Sequence, residues 1–339
     1  MIKKHPIVKS KLYKLYDKKQ LAEIIGCSSN FISSFINDRG NYKNRSEPKK
    51  NGGSREINNP GRELKEIHRR LLAVLRGIET PNYLKSGIKG ISSQDVAQLH
   101  KDCSYMLCMD IKSFYQSARK QYVRSMFINK FKMAPNLADF LAKLVTIPSE
   151  DLSSQYIPTG SPISQLLIFW TYKQTFDDIN KEAEKLGIKF SLYVDDMTFS
   201  SKNPISWSFE SLIIKRLGSV KLRIKKEKTE RFGPKQDKVT TGIKITKRNQ
   251  IQVTDKNRKK IISFMKQNGK ISTWAPEIIR KVRGMIISAQ VNEPDFLKAT
   301  GQRLKAELKK RPCPVKKPFR TKFKIMEKIR KLPVFKGKN

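Results

Sequence analysis

Aspartates stand at the ends of two apolar, strand-forming segments of the sequence. Asp110 follows the letters SYMLCM, and Asp195 and Asp196 lie within KFSLYVDDMTFS. Adjacent acids between apolar residues are costly unless they lie at a turn or bind cations. Two strands that each present an acid suit a pair of divalent cations, because Mg²⁺ prefers hard carboxylate and phosphate oxygens. A DD pair alone more often marks a plain turn, so a two-metal, phosphoryl-transfer interpretation depends on both segments together.

The sequence has few reactive side chains of other types, which limits the catalytic mechanisms available to the protein. The sequence has three histidines and four cysteines, with no CxxC pair and no histidine at zinc-finger spacing. Free thiols in a reducing compartment are therefore a better interpretation than a zinc site. Catalysis would have to rest on carboxylates together with Lys and Arg. The cysteines are Cys27, Cys103, Cys108 and Cys313.

The charge of the chain predicts a polyanionic partner. There are 71 Lys and Arg against 30 Asp and Glu, a formal net charge of +41. Such a field attracts nucleic acid. An anionic membrane is the weaker alternative, because no apolar run approaches the roughly 18 residues of a spanning helix. The N-terminal letters lack the apolar stretch of a signal peptide, so we expect a cytoplasmic protein without a membrane partner.

The elements that must position these acids can be read from hydrophobic patterning. Residues 12–37 predict two short helices with a helix-turn-helix outline, more typical of a packing module than of a DNA reader. The letters KKNGG at 49–53 predict a hairpin tip, and residues 61–78 an amphipathic helix. Strands and helices then alternate irregularly, which favours an α+β fold. From residue 254 the chain is predicted to be helical and very basic, which favours contact with a nucleic-acid backbone.

Taken together, these motifs resemble the reverse transcriptases, and among them the bacterial retron reverse transcriptases. The similarity runs in order from about residue 42 to about residue 310. The matching segments are EPKKNGGSREINNPGRELKEIHRRLL for the fingers, MDIKSFYQS and YVDD for the catalytic palm motifs, IPTGSPISQLL for the nucleotide loop, LRIKKEKTERFGPKQDKVTTGIKI for later palm strands, and KVRGMIISAQVNEPD for the thumb.

The resemblance implies a right-hand polymerase with fingers, a palm built from an antiparallel sheet plus helices, and a helical thumb. It predicts an N-terminal helical segment at 1–40, fingers and palm at 41–253, and a basic thumb with a C-terminal tail at 254–339. Thumb and fingers would clamp an A-form-like RNA–DNA duplex mainly through its phosphates.

The resemblance also assigns the catalytic acids and a sugar-selecting residue. Asp110 and Asp195 are implied metal ligands, and Asp196 is the third catalytic and metal-site acid. The implied cofactor is a pair of Mg²⁺ ions, with Mn²⁺ as an alternative. Tyr115 matches the aromatic steric gate that blocks a ribose 2′-hydroxyl, although core packing would be the simpler interpretation of this residue without the resemblance.

Further nucleotide-binding residues follow from the same alignment of motifs. Lys49, Lys50 and Arg55 are implied to contact the triphosphate, and the hairpin register leaves open which of the two lysines does so. Gly160 is implied to allow the backbone to approach a base pair closely. Lys228 matches a family lysine proposed to protonate the leaving pyrophosphate, and a solvent-exposed lysine is the alternative.

Two short segments point toward the retron branch. The letters VAQLH, ending at His100, resemble a family N-A-x-x-H segment, with Val96 in place of Asn. Thr240, Thr241 and Gly242 resemble a V-T-G segment, with a threonine in place of the valine. The family associates these regions with recognition of the cognate structured RNA, whereas a lone histidine would more often be structural.

The implied activity is RNA-directed DNA synthesis on a cognate non-coding RNA. Synthesis would consume dNTPs and begin at a 2′-hydroxyl of that RNA, giving a branched RNA–DNA product. A separate effector protein and a role in antiphage defence are also implied. One alternative is another bacterial reverse transcriptase, either intron-encoded or diversity-generating. A different class is a non-catalytic nucleic-acid-binding protein, which would explain the charge but not the two strand-end acid sites.

Overall fold

The protein is described by a computed structural model for residues 4–48 and 53–311. The predicted hairpin tip with Lys49 and Lys50 lies outside the described residues, and so does the basic tail from 312 to 339. The N-terminal part contains α1 (Lys18–Ile25), α2 (Ser29–Ser33), β1 (Tyr42–Pro48), β2 (Ser54–Pro60), α3 (Arg62–Arg76) and α4 (Ser93–His100).

Most strands lie in the middle of the chain. In order, the elements are β3 (Tyr105–Asp110), α5 (Phe114–Ser117), α6 (Lys120–Asn129), α7 (Pro135–Val145), β4 (Ile147–Pro148), β5 (Gln155–Tyr156), α8 (Ser164–Lys185), β6 (Lys189–Tyr193), β7 (Asp196–Ser201), α9 (Trp207–Ser219), β8 (Glu230–Phe232), β9 (Lys238–Thr240), β10 (Ile243–Ile245) and β11 (Ile251–Val253). The helices α10 (Asp255–Gln267), α11 (Pro276–Gln290) and α12 (Lys298–Lys310) follow. Short 3₁₀ helices occupy Ile7–Lys9, Arg39–Asn41, Lys226–Lys228 and Ile271–Thr273.

The two N-terminal helices pack against the rest of the protein. The carboxylate of Asp17 accepts a hydrogen bond from the Gln20 N–H at 2.9 Å and caps α1. Gly26, with φ 72°, ends the same helix in the left-handed conformation. Leu21 and Ile32 are buried in the main hydrophobic core. The prediction of two short helices is confirmed, and their buried side chains support the packing interpretation.

The fingers hairpin and its following helix form as the patterning predicts. β1 and β2 pair antiparallel, from Tyr42 opposite Pro60 to Pro48 opposite Ser54. α3 turns one apolar face inward because its buried residues recur three and four positions apart. These residues are Leu64, Ile67, His68, Leu71, Leu72 and Leu75.

A four-stranded antiparallel sheet forms the palm, in the order β6-β7-β3-β8. The central strand β3 buries Leu107 and Met109 almost completely, as expected for a strand flanked on both sides. The long helix α8 packs against β6, α3 and α6 and so joins the sheet to the fingers side. A second antiparallel sheet, β11-β10-β9, packs against α4.

The last three helices have a hydrophobic core of their own. Trp274, Ile279 and Val282 are almost fully buried in a cluster that extends from Val253 to Leu304. Most buried residues of the N-terminal helices, fingers and palm instead share one continuous cluster, and a small third cluster joins α4 and β3 to β10. A separate C-terminal core supports a boundary near residue 254, and the full three-way division of the chain stays a prediction. Among the described helices, none has the length and apolarity needed to cross a membrane.

Candidate active site

The palm sheet brings the three predicted acids to one edge. Asp110 is the last residue of β3 and lies opposite Asp196, the first residue of β7. Tyr193 of β6 also lies opposite Asp196, so the β6–β7 connection is a two-residue turn of Val194 and Asp195. β6 and β7 therefore form a β-hairpin with Asp195 at its tip. The Ile111 N–H donates to the carbonyl of Asp195 at 2.9 Å, which ties the turn to the end of β3.

The turn carries a strained backbone. Val194 has φ 57°, a left-handed conformation that a β-branched residue rarely adopts. Its N–H donates to the hydroxyl of Ser86 at 2.9 Å, which helps hold this conformation. Strain of this kind concentrates at functional sites and persists only where the surroundings impose it.

Two lysines bind the carboxylate at the centre of this edge. The ammonium group of Lys225 contacts one oxygen of Asp110 directly, and that of Lys228 donates to the other at 3.1 Å. Lys225 also lies 3.8 Å from an oxygen of Asp195. Because one ammonium group touches both carboxylates, the acids from β3 and from the β6–β7 turn share a single electrostatic site.

Burial and mutual repulsion disfavour full ionisation of these carboxylates at the same time. Burial and the neighbouring charge of Asp110 raise the pKa of Asp195. Burial, followed by the charges of Asp195 and Asp110, raises the pKa of Asp196 to about 6. Lys225 opposes both pKa shifts in part, together with Arg55 at Asp195 and with Lys228 at Asp196. A cluster of this kind favours binding of additional positive charge.

The carboxylate oxygens of the three aspartates suit divalent cations, but they do not form a preorganised metal site in this structure. Among residues 4–48 and 53–311, no three His, Cys, Asp or Glu side chains are arranged to hold a metal ion. The ammonium group of Lys225 lies between Asp110 and Asp195 instead. Carboxylate oxygens are the ligands that Mg²⁺ prefers, so the donor chemistry of these residues fits the ion. The two-metal assignment stays a prediction.

Two predicted nucleotide-binding residues line one cavity beside these acids. Tyr115 and Gly160 both border a cavity of about 640 Å³. Burial raises the pKa of Tyr115, with a further contribution from the charge of Asp195, while Arg55 lowers it. Arg55 is solvent-exposed on β2, yet its charge acts on both Asp195 and Tyr115. Tyr115 and Gly160 thus border one cavity, and the charge of Arg55 influences Tyr115 and Asp195.

The structure shows a steric reason for glycine at position 160. A Cβ atom there would lie 2.6 Å from the side-chain oxygen of Asn59 and 2.7 Å from the carbonyl of Asn58. The Gly160 N–H also donates to that carbonyl at 3.1 Å. Glycine is thus required here by the close approach to the backbone of β2, and the approach of this loop to a base pair stays a prediction.

Lys228 also has a partner that the sequence did not reveal. Burial would lower its pKa, but the hydrogen bond to Asp110 and the charges of the aspartates raise it. A lysine that stays protonated and bound to a carboxylate is not simply solvent-exposed. Its proposed donation to pyrophosphate stays a prediction.

The residues expected to recognise RNA are mostly buried. The ring of His100 has no exposed surface and lies 2.6 Å from the hydroxyl of Ser200 and 2.8 Å from that of Ser191. Thr240 is 2% exposed and shares a hydrogen bond with Thr198. Both side chains are held inside the protein by these bonds, and recognition of RNA by their segments stays a prediction.

The other two residues of this set lie at a turn. Thr241 and Gly242 connect β9 to β10, with φ values of 46° and 78°. Gly242 is exposed and Thr241 half-buried, with its hydroxyl bonded to the carbonyl of Ser93 at 3.4 Å. Recognition of RNA by this turn stays a prediction.

Sequence reasoning missed several basic residues of the site. Lys225 lies three positions before Lys228, and only tertiary structure brings it to Asp110. Lys65, Arg69 and Arg76 of α3 line the same cavity as Tyr115. Their spacing of four and seven positions on a predicted helix was the available signal, because such residues share one helix face.

The family of the chain follows from comparison with known proteins. Residues 47–264 match the family model described as "Reverse transcriptase (RNA-dependent DNA polymerase)". This chain belongs to the reverse transcriptase family. Its antiparallel palm sheet, fingers hairpin and helical C-terminal part are those of the predicted right-hand polymerase fold.

The relatives found are retron reverse transcriptases, which supports a bacterial retron-type enzyme. The retron Se72 reverse transcriptase of Salmonella heidelberg is 27% identical over 170 residues, covering 50% of this chain and 43% of that protein. The retron Ec83 reverse transcriptase of Escherichia coli is 21% identical over 266 residues, covering 76% of this chain and 84% of that protein. The chain thus spans less than half of the Se72 protein but most of the Ec83 protein.

Solved structures with a similar arrangement include a telomerase and a viral enzyme. Telomerase from Candida albicans with a fragment of telomeric RNA has a TM-score of 0.49 and 12% identity, covering 94% of this chain and 68% of that one. The foamy viral protease-reverse transcriptase with double-stranded DNA has a TM-score of 0.48 and 14% identity, covering 90% and 47%.

Proposed function

We propose that this chain is an RNA-directed DNA polymerase of the retron kind. It copies a cognate structured non-coding RNA into single-stranded DNA from dNTPs. The observation that carries the proposal is the meeting of Asp110, Asp195 and Asp196 at one edge of the palm sheet, with one lysine touching two of them. Membership of the reverse transcriptase family supports the same activity.

The three aspartates would hold a pair of Mg²⁺ ions. When bound, such ions activate the attacking oxygen of the primer end and neutralise charge on the triphosphate. The raised pKa values of Asp195 and Asp196 support this role, because added positive charge relieves the repulsion among the carboxylates. Lys225 would leave Asp110 and turn toward phosphate oxygens as the ions bind.

The incoming nucleotide would occupy the cavity that Tyr115 and Gly160 border. Arg55 would donate to the triphosphate, since its charge already acts on Asp195 and Tyr115. The ring of Tyr115 is 8% exposed and packs beside Phe114, so it cannot easily move aside for a 2′-hydroxyl. This rigidity would favour deoxynucleotides over ribonucleotides.

The finer biological assignment rests on the retron relatives. By that relation, DNA synthesis would start at a 2′-hydroxyl within the RNA and leave a branched product. A separate effector protein would complete an antiphage defence system. Sequencing the DNA beside the gene tests this assignment. A neighbouring inverted-repeat RNA supports it, and absence of such a template favours an intron-encoded or diversity-generating reverse transcriptase.

The catalytic assignment is tested by replacing one acid. Purified chain, its native RNA, dNTPs and Mg²⁺ should give DNA, and Asp195→Asn should reduce the rate by on the order of 10³-fold, because a charge at the reacting centre is lost. Asp102→Asn is the matched control, since Asp102 is an exposed carboxylate outside the palm edge. Equal synthesis by the Asp195 variant and the wild type would remove the assignment. RNA binding without any synthesis by the wild type would favour a non-catalytic binding protein.

A further inference from the structure

A second cavity lies beside the palm acids, and all of its charged lining is basic. The cavity has a volume of about 510 Å³ and is bordered by Lys112, Arg119, Lys221 and Arg223, together with Ser113 and Ser117. Its walls come from the segment after β3, the start of α6 and the segment after α9. It is separate from the cavity that holds Tyr115 and Gly160.

The four cations of this cavity lack acidic partners. Within the part of the chain that the structure describes, none of Lys112, Arg119, Lys221 and Arg223 forms an ion pair, and all four are solvent-exposed. Elsewhere, Lys173 and Arg231 are paired with nearby carboxylates. Four like charges around one concavity repel one another, and an anion that enters it relieves this repulsion.

Backbone pairing connects this cavity to the catalytic edge. Ile111 and Ile224 form an antiparallel bridge. The Lys225 N–H donates to the carbonyl of Asp110 at 2.8 Å, and the Lys112 N–H donates to that of Arg223 at 2.7 Å. Lys112 and Arg223 are therefore neighbours across the pair, one step beyond the contact between Asp110 and Lys225.

Side-chain alternation directs the basic residues to one face of this pair. Leu222 is 1% exposed and Ile224 packs against the main core. Arg223 alternates with them and is exposed, because successive side chains of an extended segment point to opposite faces. Lys221 is exposed in the turn that precedes this segment, with φ 61°. Arg223 and Lys225 thus lie on one face, about 7 Å apart along the segment, and Lys225 contacts Asp110.

We propose that this cavity binds the inorganic pyrophosphate that leaves the catalytic centre. The inference rests on the proposed function, since nucleotide addition transfers one phosphoryl group to the primer oxygen and releases pyrophosphate. A compact ligand with charge on two phosphoryl groups suits a concave site walled by three segments. A nucleic-acid backbone instead follows an open groove. Lys225 would guide the product from Asp110 to Arg223 and Lys112.

Direct binding of pyrophosphate tests the proposal. Isothermal titration calorimetry of the full chain with sodium pyrophosphate measures this binding. EDTA is present, so that pyrophosphate cannot bind through metal ions. The double variant Lys221→Gln/Arg223→Gln should weaken this binding at least tenfold. Lys215→Gln/Arg216→Gln is the matched control, because it removes one lysine and one arginine charge from exposed positions on α9 outside the cavity lining. The control should bind pyrophosphate as the wild type does.

A second measurement separates pyrophosphate from RNA as the ligand. DNA synthesis by the cavity variant should need at least tenfold more pyrophosphate for half-inhibition, while its affinity for an RNA oligonucleotide stays equal to that of the control. Equal pyrophosphate affinity in the two double variants overturns the proposal. Loss of RNA affinity with unchanged pyrophosphate affinity also overturns it and assigns the cavity to the RNA backbone.

Failure of this inference is distinguishable from failure of the proposed function. The titration in EDTA needs no polymerisation, so the Asp195→Asn variant should bind pyrophosphate as the wild type does. A wild-type chain that binds pyrophosphate in this cavity yet makes no DNA would refute the polymerase assignment alone.

Discussion

The palm carboxylates and the buried histidines are both polar groups inside the protein. They differ in whether the neighbouring groups oppose or stabilise them. Asp195 and Asp196 have raised pKa values because burial and mutual repulsion oppose their charge. His68 and His100 are fully buried and neutral, and each ring contacts a hydrogen-bond partner at both nitrogens. The negative charges of the carboxylates are unfavourable in the folded protein until a cation binds. The two nitrogens of each histidine ring already have hydrogen-bond partners.

The histidines show how a buried polar group becomes part of the framework. The carbonyl of Leu144 can only accept, so Nε2 of His68 donates to it at 3.0 Å. Nδ1 then accepts from the hydroxyl of Ser161, at 2.7 Å. This pair of bonds fixes the loop that carries Gly160 against α3. The buried histidine thus holds the site in place, whereas the charged carboxylates are the groups proposed to perform its chemistry.

The largest expected effect separates activity from stability at the carboxylates. Asp196→Asn should lower DNA synthesis by on the order of 10³-fold, because the site loses a charge. The same change should raise the free energy of unfolding by about 1–2 kcal/mol, because it removes a charge whose pKa is raised to about 6. Synthesis assays and urea unfolding in EDTA measure the two quantities. Stability below that of the wild type would contradict the idea that this charge is unfavourable in the folded state.

The matching change at a histidine should have the opposite effect on stability. His100→Ala should lower the free energy of unfolding by about 3 kcal/mol, because it leaves a cavity and the buried hydroxyl of Ser191 without its partner. His5→Ala is the control, since His5 is only half-buried. Urea unfolding compares the two, and similar losses in both would show that the buried ring is not specially stabilising.

The two groups should also respond oppositely to pH. Burial lowers the pKa of His68 to about 4 and, with nearby lysines, that of His100 to about 3. Their stabilisation is complete above the unfolded value of about 6.5 and is lost as the pH falls toward those values, by up to about 3 kcal/mol for His68 and about 5 kcal/mol for His100. The raised pKa of Asp196 works the other way, adding stability as the pH falls from about 6 to about 4.

Unfolding free energies measured between pH 7 and pH 4 in EDTA test this contrast. The decline on acidification should be shallower in His100→Ala than in the wild type. It should be steeper in Asp196→Asn, because the opposing carboxylate is gone. Parallel curves for all three chains would show that these groups do not control the pH dependence.

The smallest expected effect concerns the strained turn beside the carboxylates. Val194→Gly should raise the free energy of unfolding by at most about 1 kcal/mol, because relief of the left-handed conformation exceeds the extra chain entropy of glycine. Asn249→Gly is the control: Asn249 has φ 60°, but asparagine tolerates this conformation, so the gain should be smaller. An equal or larger gain at Asn249 would mean that Val194 is not specially strained.

Local patterning determined much of this protein. The apolar spacing in α3 and the turn residues around the fingers hairpin predicted those elements, because helix and strand periodicity are properties of neighbouring residues. The ends of two apolar segments likewise identified Asp110 and Asp195, which the palm sheet brings to one edge. The order of motifs was enough to indicate the family.

Only the tertiary structure decided what each polar residue touches. Nothing in its neighbours distinguishes Lys225, which contacts Asp110 across a distance of 115 residues in the chain. The sequence left open whether His100 is structural, and the structure places its ring between Ser191 and Ser200. The need for glycine at Gly160 comes from the backbone of β2. Such contacts join segments far apart in the chain, so burial and partnership depend on packing that no local pattern encodes.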